Sequence, residues 1–91
     1  MDVRFEWDPS KDAANTRKHG VSFWEAIGVF GDPLSMTIPD PRHSQGEDRY
    51  IDLGLSRRQR LLVVAYTERQ GRIRIISARL ATRSERHLYE A

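Results

Sequence analysis

Three closely spaced segments in the second half of the chain have the patterns of β-strands, and this succession constrains the fold more than any other feature. Apolar and polar side chains alternate from Arg49 to Leu55. The next segment, Leu61 to Thr67, is nearly continuously apolar, which suits a central strand covered on both faces. A turn at 69–71 precedes a third segment that ends at Arg79. Connections this short join antiparallel neighbours, so we expect an antiparallel sheet here.

Two helices are expected before these strands. Asp8 and the following proline are typical of a helix start, and Gly20 of a helix end, which predicts a helix over Pro9–His19. A second helix is predicted from Ser22, where Ser22 and Glu25 have the spacing of a capping box. Its apolar face would be formed by Phe23, Ala26, Ile27 and Phe30.

Three further elements complete the predicted order. A short strand is expected from Phe5 to Trp7, and another from Leu34 to Ile38, closed by the prolines at 39 and 41. A capping box at Thr82 and Glu85 opens a last helix that ends near Tyr89. The order is strand, two helices, four strands, helix. We therefore predict one α+β domain over residues 1–91, with a small antiparallel, mixed-edge sheet of about five strands.

Composition excludes several classes of protein. The 91 residues contain no cysteine, which excludes a disulfide framework, a thiolate metal site and a cysteine nucleophile. No apolar run approaches the ~20 residues of a membrane span, and no signal-peptide pattern opens the chain. We therefore expect a cytoplasmic protein without membrane contact.

The net charge of +2 conceals an uneven distribution. Residues 46–91 contain ten basic groups, all arginine, against six acids. The guanidinium group matches phosphate oxygens two at a time and stays charged. This half of the chain therefore suggests a phosphate-bearing partner, nucleic acid first, and an arginine-rich solvated surface is the alternative.

A few residues are candidates for chemistry, each with a structural alternative. Lys18 and His19 close the first helix, where they either stabilise the helix dipole or supply a phosphate-binding cation and a proton-transfer group. Glu47 and Arg49 lie at the start of a strand. They form either an ion pair at the strand edge or a carboxylate and a guanidinium that face a cleft. Arg79 continues the face of Ile73, Ile75 and Ser77, and requires a carboxylate such as Glu85 or Glu47, or a phosphate. The three histidines lack metal-ligand spacing, and no nucleotide-cofactor motif is present, so no metal or cofactor is expected.

The chain resembles the BrnT-type toxins of bacterial type II toxin–antitoxin systems over about residues 4–89. The ordered set of motifs is more specific than any one of them. The matching stretches are FEWD at 5–8, Lys11, Asn15, KHGV at 18–21, Phe23, Ala26, Phe30, Asp32, EDRY at 47–50, Leu53-Gly54, RIISAR at 74–79, Ala81, Glu85-Arg86 and Tyr89.

The resemblance implies a ribonuclease toxin with a RelE-like fold that cleaves RNA without a metal, using the 2′-OH of the RNA as nucleophile. Lys18, Arg49 and Arg79 are then the expected phosphate clamps. His19 or Glu47 is the expected proton-transfer pair, with the assignment of base and acid left open. We expect RNA contacts from Trp7, Tyr50, Lys11 and Arg83. The implied partner is a BrnA-type antitoxin with a ribbon-helix-helix domain. Promoter DNA would be bound only through this antitoxin. The alternative is a non-catalytic nucleic-acid- or protein-binding module on the same fold.

Overall fold

A computed structural model describes residues 4–40 and 48–91. These residues form five strands, three α-helices and one 3₁₀ helix. In chain order they are β1 (Arg4–Glu6), α1 (Pro9–His19), α2 (Phe23–Ala26), the 3₁₀ helix (Ile27–Gly31), β2 (Met36–Pro39), β3 (Arg49–Leu55), β4 (Leu61–Arg69), β5 (Arg72–Leu80) and α3 (Arg83–Glu90). None of the described helices has the length and apolar content that crossing a membrane requires.

The five strands form one mixed sheet in the order β1-β5-β4-β3-β2. The pairs β2–β3, β3–β4 and β4–β5 are antiparallel, whereas β1 lies parallel to β5. Parallel neighbours require a crossover connection. Here the crossover contains all the elements between β1, the first strand, and β5, the last. The predicted α+β class, with a mixed-edge sheet of five strands, is confirmed.

Helix α1 has the predicted bounds because local groups determine both of its ends. Asp8 Oδ1 accepts hydrogen bonds from the Ser10 N–H at 2.8 Å and from its hydroxyl at 2.7 Å. At the other end, Gly20 has φ 69° and donates its N–H to the Thr16 carbonyl at 2.9 Å. A side chain at that φ would be strained, so glycine is the residue that ends this helix without cost.

The second helix differs from its prediction. It becomes a 3₁₀ helix after Ala26, and only half of its capping box forms. The Ser22 hydroxyl accepts the N–H of Glu25 at 3.0 Å, but the Glu25 carboxylate binds Arg60 and Ser56 instead of turning back to the helix start. A tertiary ion pair has taken the place of the local bond. The capping box of α3 is complete.

The sheet has two faces with different covers. We call the first the two-helix face, because α1, α2 and the 3₁₀ helix pack on it; its sheet residues include Tyr50, Leu62, Val64, Tyr66, Ile75 and Ala78. We call the opposite face the α3 face. Leu53, Leu61 and Val63 are buried there against Ala81 and Tyr89. The α3 helix itself contains no buried residue, so this cover is light.

The expected placement of Arg79 on the apolar face of β5 is wrong. Consecutive residues of β4 pair with Ser77 and Ile75, so Ile76 is an extra residue in β5. An extra residue reverses the alternation of every side chain beyond it. Arg79 therefore pairs with Val63 and lies on the α3 face.

Asn15 connects α1 to β5 close to this bulge. Its side-chain amide donates to the carbonyls of Val21 at 2.9 Å and Ala78 at 2.8 Å, and its oxygen accepts the Ala78 N–H at 3.1 Å. Asn15 thus connects α1 to a strand residue that lies 63 positions further along the chain.

Candidate nucleic-acid-binding site

A row of polar side chains crosses the α3 face at one end of the sheet. In register from strand to strand, Glu6 lies beside Arg74, Arg74 beside Thr67, and Thr67 beside Arg49. The Glu6 carboxylate pairs with Arg74 at 2.9 Å and with Arg72 at 3.6 Å. Two guanidiniums thus share one carboxylate, which leaves this part of the face positively charged.

Thr67 lies between Arg49 and Arg74 and is 1% exposed. No group in the described part of the chain forms a hydrogen bond with its Oγ1. A buried hydroxyl without a partner costs free energy, and such groups concentrate where function requires them. This row, which we call the Arg49 row, is the α3-face feature with the chemistry of a phosphate site.

Arg79 is engaged by a carboxylate of α3. Its two terminal nitrogens donate to Glu85 Oε1 at 2.8 Å and Oε2 at 2.9 Å. The hydrogen bonds from Arg79 lower the pKa of Glu85 to about 2, although burial acts in the opposite direction. Of the partners that the sequence left open for Arg79, the structure contains Glu85.

Arg79 does not lie in the Arg49 row. Arg79 pairs with Val63, which pairs with Leu53, four positions along β3 from Arg49. At ~3.4 Å per residue and ~4.8 Å per strand, the two Cα atoms are roughly 16 Å apart. Both arginines lie on the α3 face, but at separate positions.

The other expected catalytic residues lie elsewhere. Lys18 is exposed and His19 half-buried at the C-terminal end of α1, on the two-helix face of the sheet. The neighbouring Gly20 carbonyl accepts a hydrogen bond from Arg60 at 2.9 Å. Glu47 lies outside the described residues. The structure therefore does not bring Lys18 and His19 together with Arg49 and Arg79.

The expected RNA-contacting residues are also dispersed. Trp7 packs edge-on against Phe23 at 6.3 Å, and the ring of Tyr50 lies 5.7 Å from that of Tyr66, both at the margin of the buried cluster on the two-helix face. Lys11 is exposed in the first turn of α1, and Arg83 is exposed at the start of α3. These four side chains do not form one surface.

A buried carboxyl, Asp52, lies on the two-helix face away from the Arg49 row. Burial raises its pKa, while hydrogen bonds from Thr37 Oγ1 at 2.7 Å and Tyr66 Oη at 2.9 Å act to lower it. These bonds join the edge strand β2 to β3 and β4, so a structural role accounts for this residue.

Sequence reasoning missed Arg74 and Thr67 as members of a site. Arg74 stood out only as part of the RIISAR stretch, and Thr67 only as the end of a nearly apolar strand. Their position beside Arg49 follows from the pairing register of the strands. Predicting that register requires the exact lengths of the turns that connect the three strands. Within the described ranges, no cluster of three or more His, Cys, Asp or Glu side chains has the arrangement of a metal site.

Comparison with known proteins identifies the family of this chain. The family model described as "Ribonuclease toxin, BrnT, of type II toxin-antitoxin system" matches residues 7–85. The chain belongs to this family, and the resemblance found in its motifs is confirmed. It is thus a ribonuclease toxin of a toxin–antitoxin pair, with RNA as its substrate and an antitoxin as its partner.

The fold has a counterpart among solved structures. The crystal structure of the Brucella abortus ribonuclease toxin BrnT, at 1.1 Å resolution, superposes with a TM-score of 0.71. The match covers 90% of this chain and 100% of that chain at 19% identity, and at this identity it establishes the shared fold. Curated proteins give no significant match.

Proposed function

We propose that this chain is a metal-independent endoribonuclease whose scissile phosphate binds at the Arg49 row. The observation that carries the proposal is the placement of Arg49 and Arg74 on either side of Thr67. Guanidinium forks bind phosphate oxygens in pairs, and the Thr67 hydroxyl between them lacks a protein partner in the described residues. Permanent cations can stabilise the charge that grows on the phosphate, which is the task a metal ion performs in other nucleases.

The reaction uses the nucleophile that RNA itself supplies. A base removes the 2′-OH proton, the 2′ oxygen bonds to phosphorus, and the bond from phosphorus to the 5′ oxygen breaks. The departing 5′ oxygen takes up a proton, leaving a 2′,3′-cyclic phosphate and a 5′-OH. We assign the base to Glu47 because it precedes Arg49 by two residues, whereas His19 lies on the other side of the sheet.

The remaining predicted residues have supporting roles in this proposal. Arg79 holds α3 through Glu85. Lys18, Lys11 and Arg83 contribute long-range attraction for RNA, since exposed cations raise the local concentration of a polyanion.

Cleavage of a short RNA by the purified protein tests the assignment. Products ending in 2′,3′-cyclic phosphate, formed equally well in EDTA, are expected. Glu47→Gln and Arg49→Lys should each reduce the cleavage rate about 10²-fold or more, whereas His19→Asn should have little effect. Arg86→Gln, at an exposed arginine of α3, is the matched control.

Three results would contradict the proposal. Loss of cleavage in EDTA with recovery in Mg²⁺ or Mn²⁺ would refute the metal-free mechanism. A large loss in His19→Asn with normal cleavage by Glu47→Gln would move the site to α1. A folded protein that binds RNA without cleaving it, and whose expression does not arrest growth, would identify the alternative binding module.

The proposed antitoxin is of the BrnA type, with a ribbon-helix-helix domain that binds promoter DNA for the complex in the cytoplasm. Type II toxin–antitoxin membership supports an antitoxin partner. An acidic or apolar segment laid over the Arg49 row would fit its charge. The purified complex should therefore not cleave RNA and should bind its own promoter. Equal cleavage by the complex and the free toxin would show that the antitoxin does not cover this row.

A further inference from the structure

A cavity of about 420 Å³ lies between α2 and the turn that joins β3 to β4. It belongs to the two-helix side of the molecule, away from the Arg49 row. Its lining residues are Ser22, Trp24, Glu25, Ile27, Gly28, Arg57 and Arg58. A second cavity of about 340 Å³ shares Gly28 and Arg57 with it and reaches Gln59. We call the first cavity, lined by the residues just named, the Trp24 groove.

The turn beside the groove is tightly defined. Ser56 donates its N–H to the Arg60 carbonyl, and Gln59 donates its own to the Ser56 carbonyl, both at 2.9 Å. Gly28 allows this turn to approach the 3₁₀ helix, because a Cβ on Gly28 would lie 2.9 Å from the Arg57 backbone nitrogen. The groove is therefore formed by two elements in direct contact, the 3₁₀ helix and the turn between β3 and β4.

The acidic residue in the groove is neutralised from within the protein. Glu25 is 8% exposed and binds the Arg60 guanidinium through both of its oxygens, and the Ser56 hydroxyl donates to it at 2.7 Å. The hydrogen bonds from Arg60 keep the pKa of Glu25 below its usual value, against the effect of burial. Arg58 also pairs with Glu25 Oε1 at 3.8 Å, so Arg57, Arg58 and Arg60 surround a single carboxylate and leave the groove with excess positive charge.

Trp24 is the most unusual residue of the groove. It is 76% exposed, more than any other large apolar side chain in the described residues. The indole of Trp24 is exposed to solvent in a groove that two arginine residues also line. It therefore offers a flat stacking surface next to guanidinium groups that can bind phosphate. Proteins that bind single-stranded nucleic acids combine these two elements.

We propose that the Trp24 groove binds an unpaired nucleotide of single-stranded RNA, with its base stacked on Trp24 and the flanking phosphates on Arg57 and Arg58. The proposal rests on RNA being the substrate and adds a second contact away from the Arg49 row. An acidic peptide would match the two arginines but would leave the indole without a partner. The stacking surface therefore favours RNA.

Fluorescence titration with a 2′-O-methyl RNA oligonucleotide tests binding separately from cleavage, because this RNA lacks the 2′-OH nucleophile. The Trp24 signal is the difference between the wild type and Trp24→Phe, and stacking should quench it. Trp24→Ala should weaken binding between about 5-fold and 150-fold. Leu34→Ala, which removes another exposed apolar side chain, is the matched control and should bind normally.

Salt dependence tests the two arginines. Arg57→Gln and Arg58→Gln should each reduce the slope of log K against log salt by about 0.7, as expected for one phosphate contact on a single strand. Circular dichroism melting of each variant verifies its fold; both arginines are exposed, so both variants should fold.

The outcomes separate this proposal from the proposed function. Equal quenching in Trp24→Phe and the wild type, or unchanged binding by Trp24→Ala, overturns the groove even if the protein cleaves RNA. Quenching of Trp24 by a glutamate-rich peptide but not by RNA also overturns it and makes the groove a protein-docking site. Trp24-dependent RNA binding in a protein that never cleaves RNA supports the groove and refutes the nuclease.

Discussion

The ion pair between Arg79 and Glu85 is expected to stabilise the protein, and Glu85→Gln measures that contribution. Glutamine preserves the capping box of α3 while removing the charge. The shift of the Glu85 pKa from 4.5 to about 2 corresponds to about 3 kcal/mol if fully realised. The Arg79 side chain is 41% exposed, so solvent screening reduces this to about 1–2 kcal/mol. For a chain of this length, Glu85→Gln should lower the melting temperature by about 4–16 °C at pH 7.

The pH dependence gives the prediction its sharpest test. The folded-state pKa of Glu85 is depressed, so its contribution is complete above about pH 4.5 and is lost as the pH falls through about 2. Urea unfolding of wild type and Glu85→Gln should therefore differ at pH 7 and converge near pH 2. Glu90→Gln, at an exposed carboxylate of the same helix, is the control. Equal stability at pH 7, or a difference that persists at pH 2, would refute the reasoning.

Three further substitutions probe other contacts. Asn15→Ala should cost about 2–4 kcal/mol of unfolding free energy, because it strands buried backbone groups of Val21 and Ala78; urea unfolding measures it. Thr67→Val should raise that free energy by about 1 kcal/mol while slowing RNA cleavage, and a loss of stability would show that the hydroxyl is bonded. Tyr89→Phe removes a hydrogen bond to the Asp32 carboxylate at 2.6 Å and should cost about 1.5 kcal/mol; an unchanged melting temperature would contradict this.

Elements bounded by local chemistry were predicted well. Helix α1 has its predicted ends because Asp8 and Gly20 act on backbone groups within a few residues. The alternation predicted along β3 was also correct, since its pairing with β4 is regular from Arg49 to Leu55. Periodicity and caps are short-range properties, and both can be read from the order of residues.

Features determined by distant partners were not predicted. The extra residue Ile76 leaves no mark in the alternation of β5, because isoleucine suits either face. Glu25 has capping-box spacing, yet it binds Arg60, 35 residues away. The composition of the candidate site depended on such features. The bulge places Arg79 on the α3 face, whereas α1, which contains Lys18, packs on the opposite face of the sheet.

The parallel pairing of β1 with β5 determines when the molecule can assemble. Phe5 pairs with Ile73, and Asn15 bonds to Ala78, so these segments find their sheet partners only 63 or more residues later in the chain. Closing loops of this length is entropically costly, and a high contact order slows folding. During translation, β1 and α1 therefore cannot dock until β5 has left the ribosome. Until then the nascent toxin lacks Arg74 beside Thr67, and so has no complete Arg49 row.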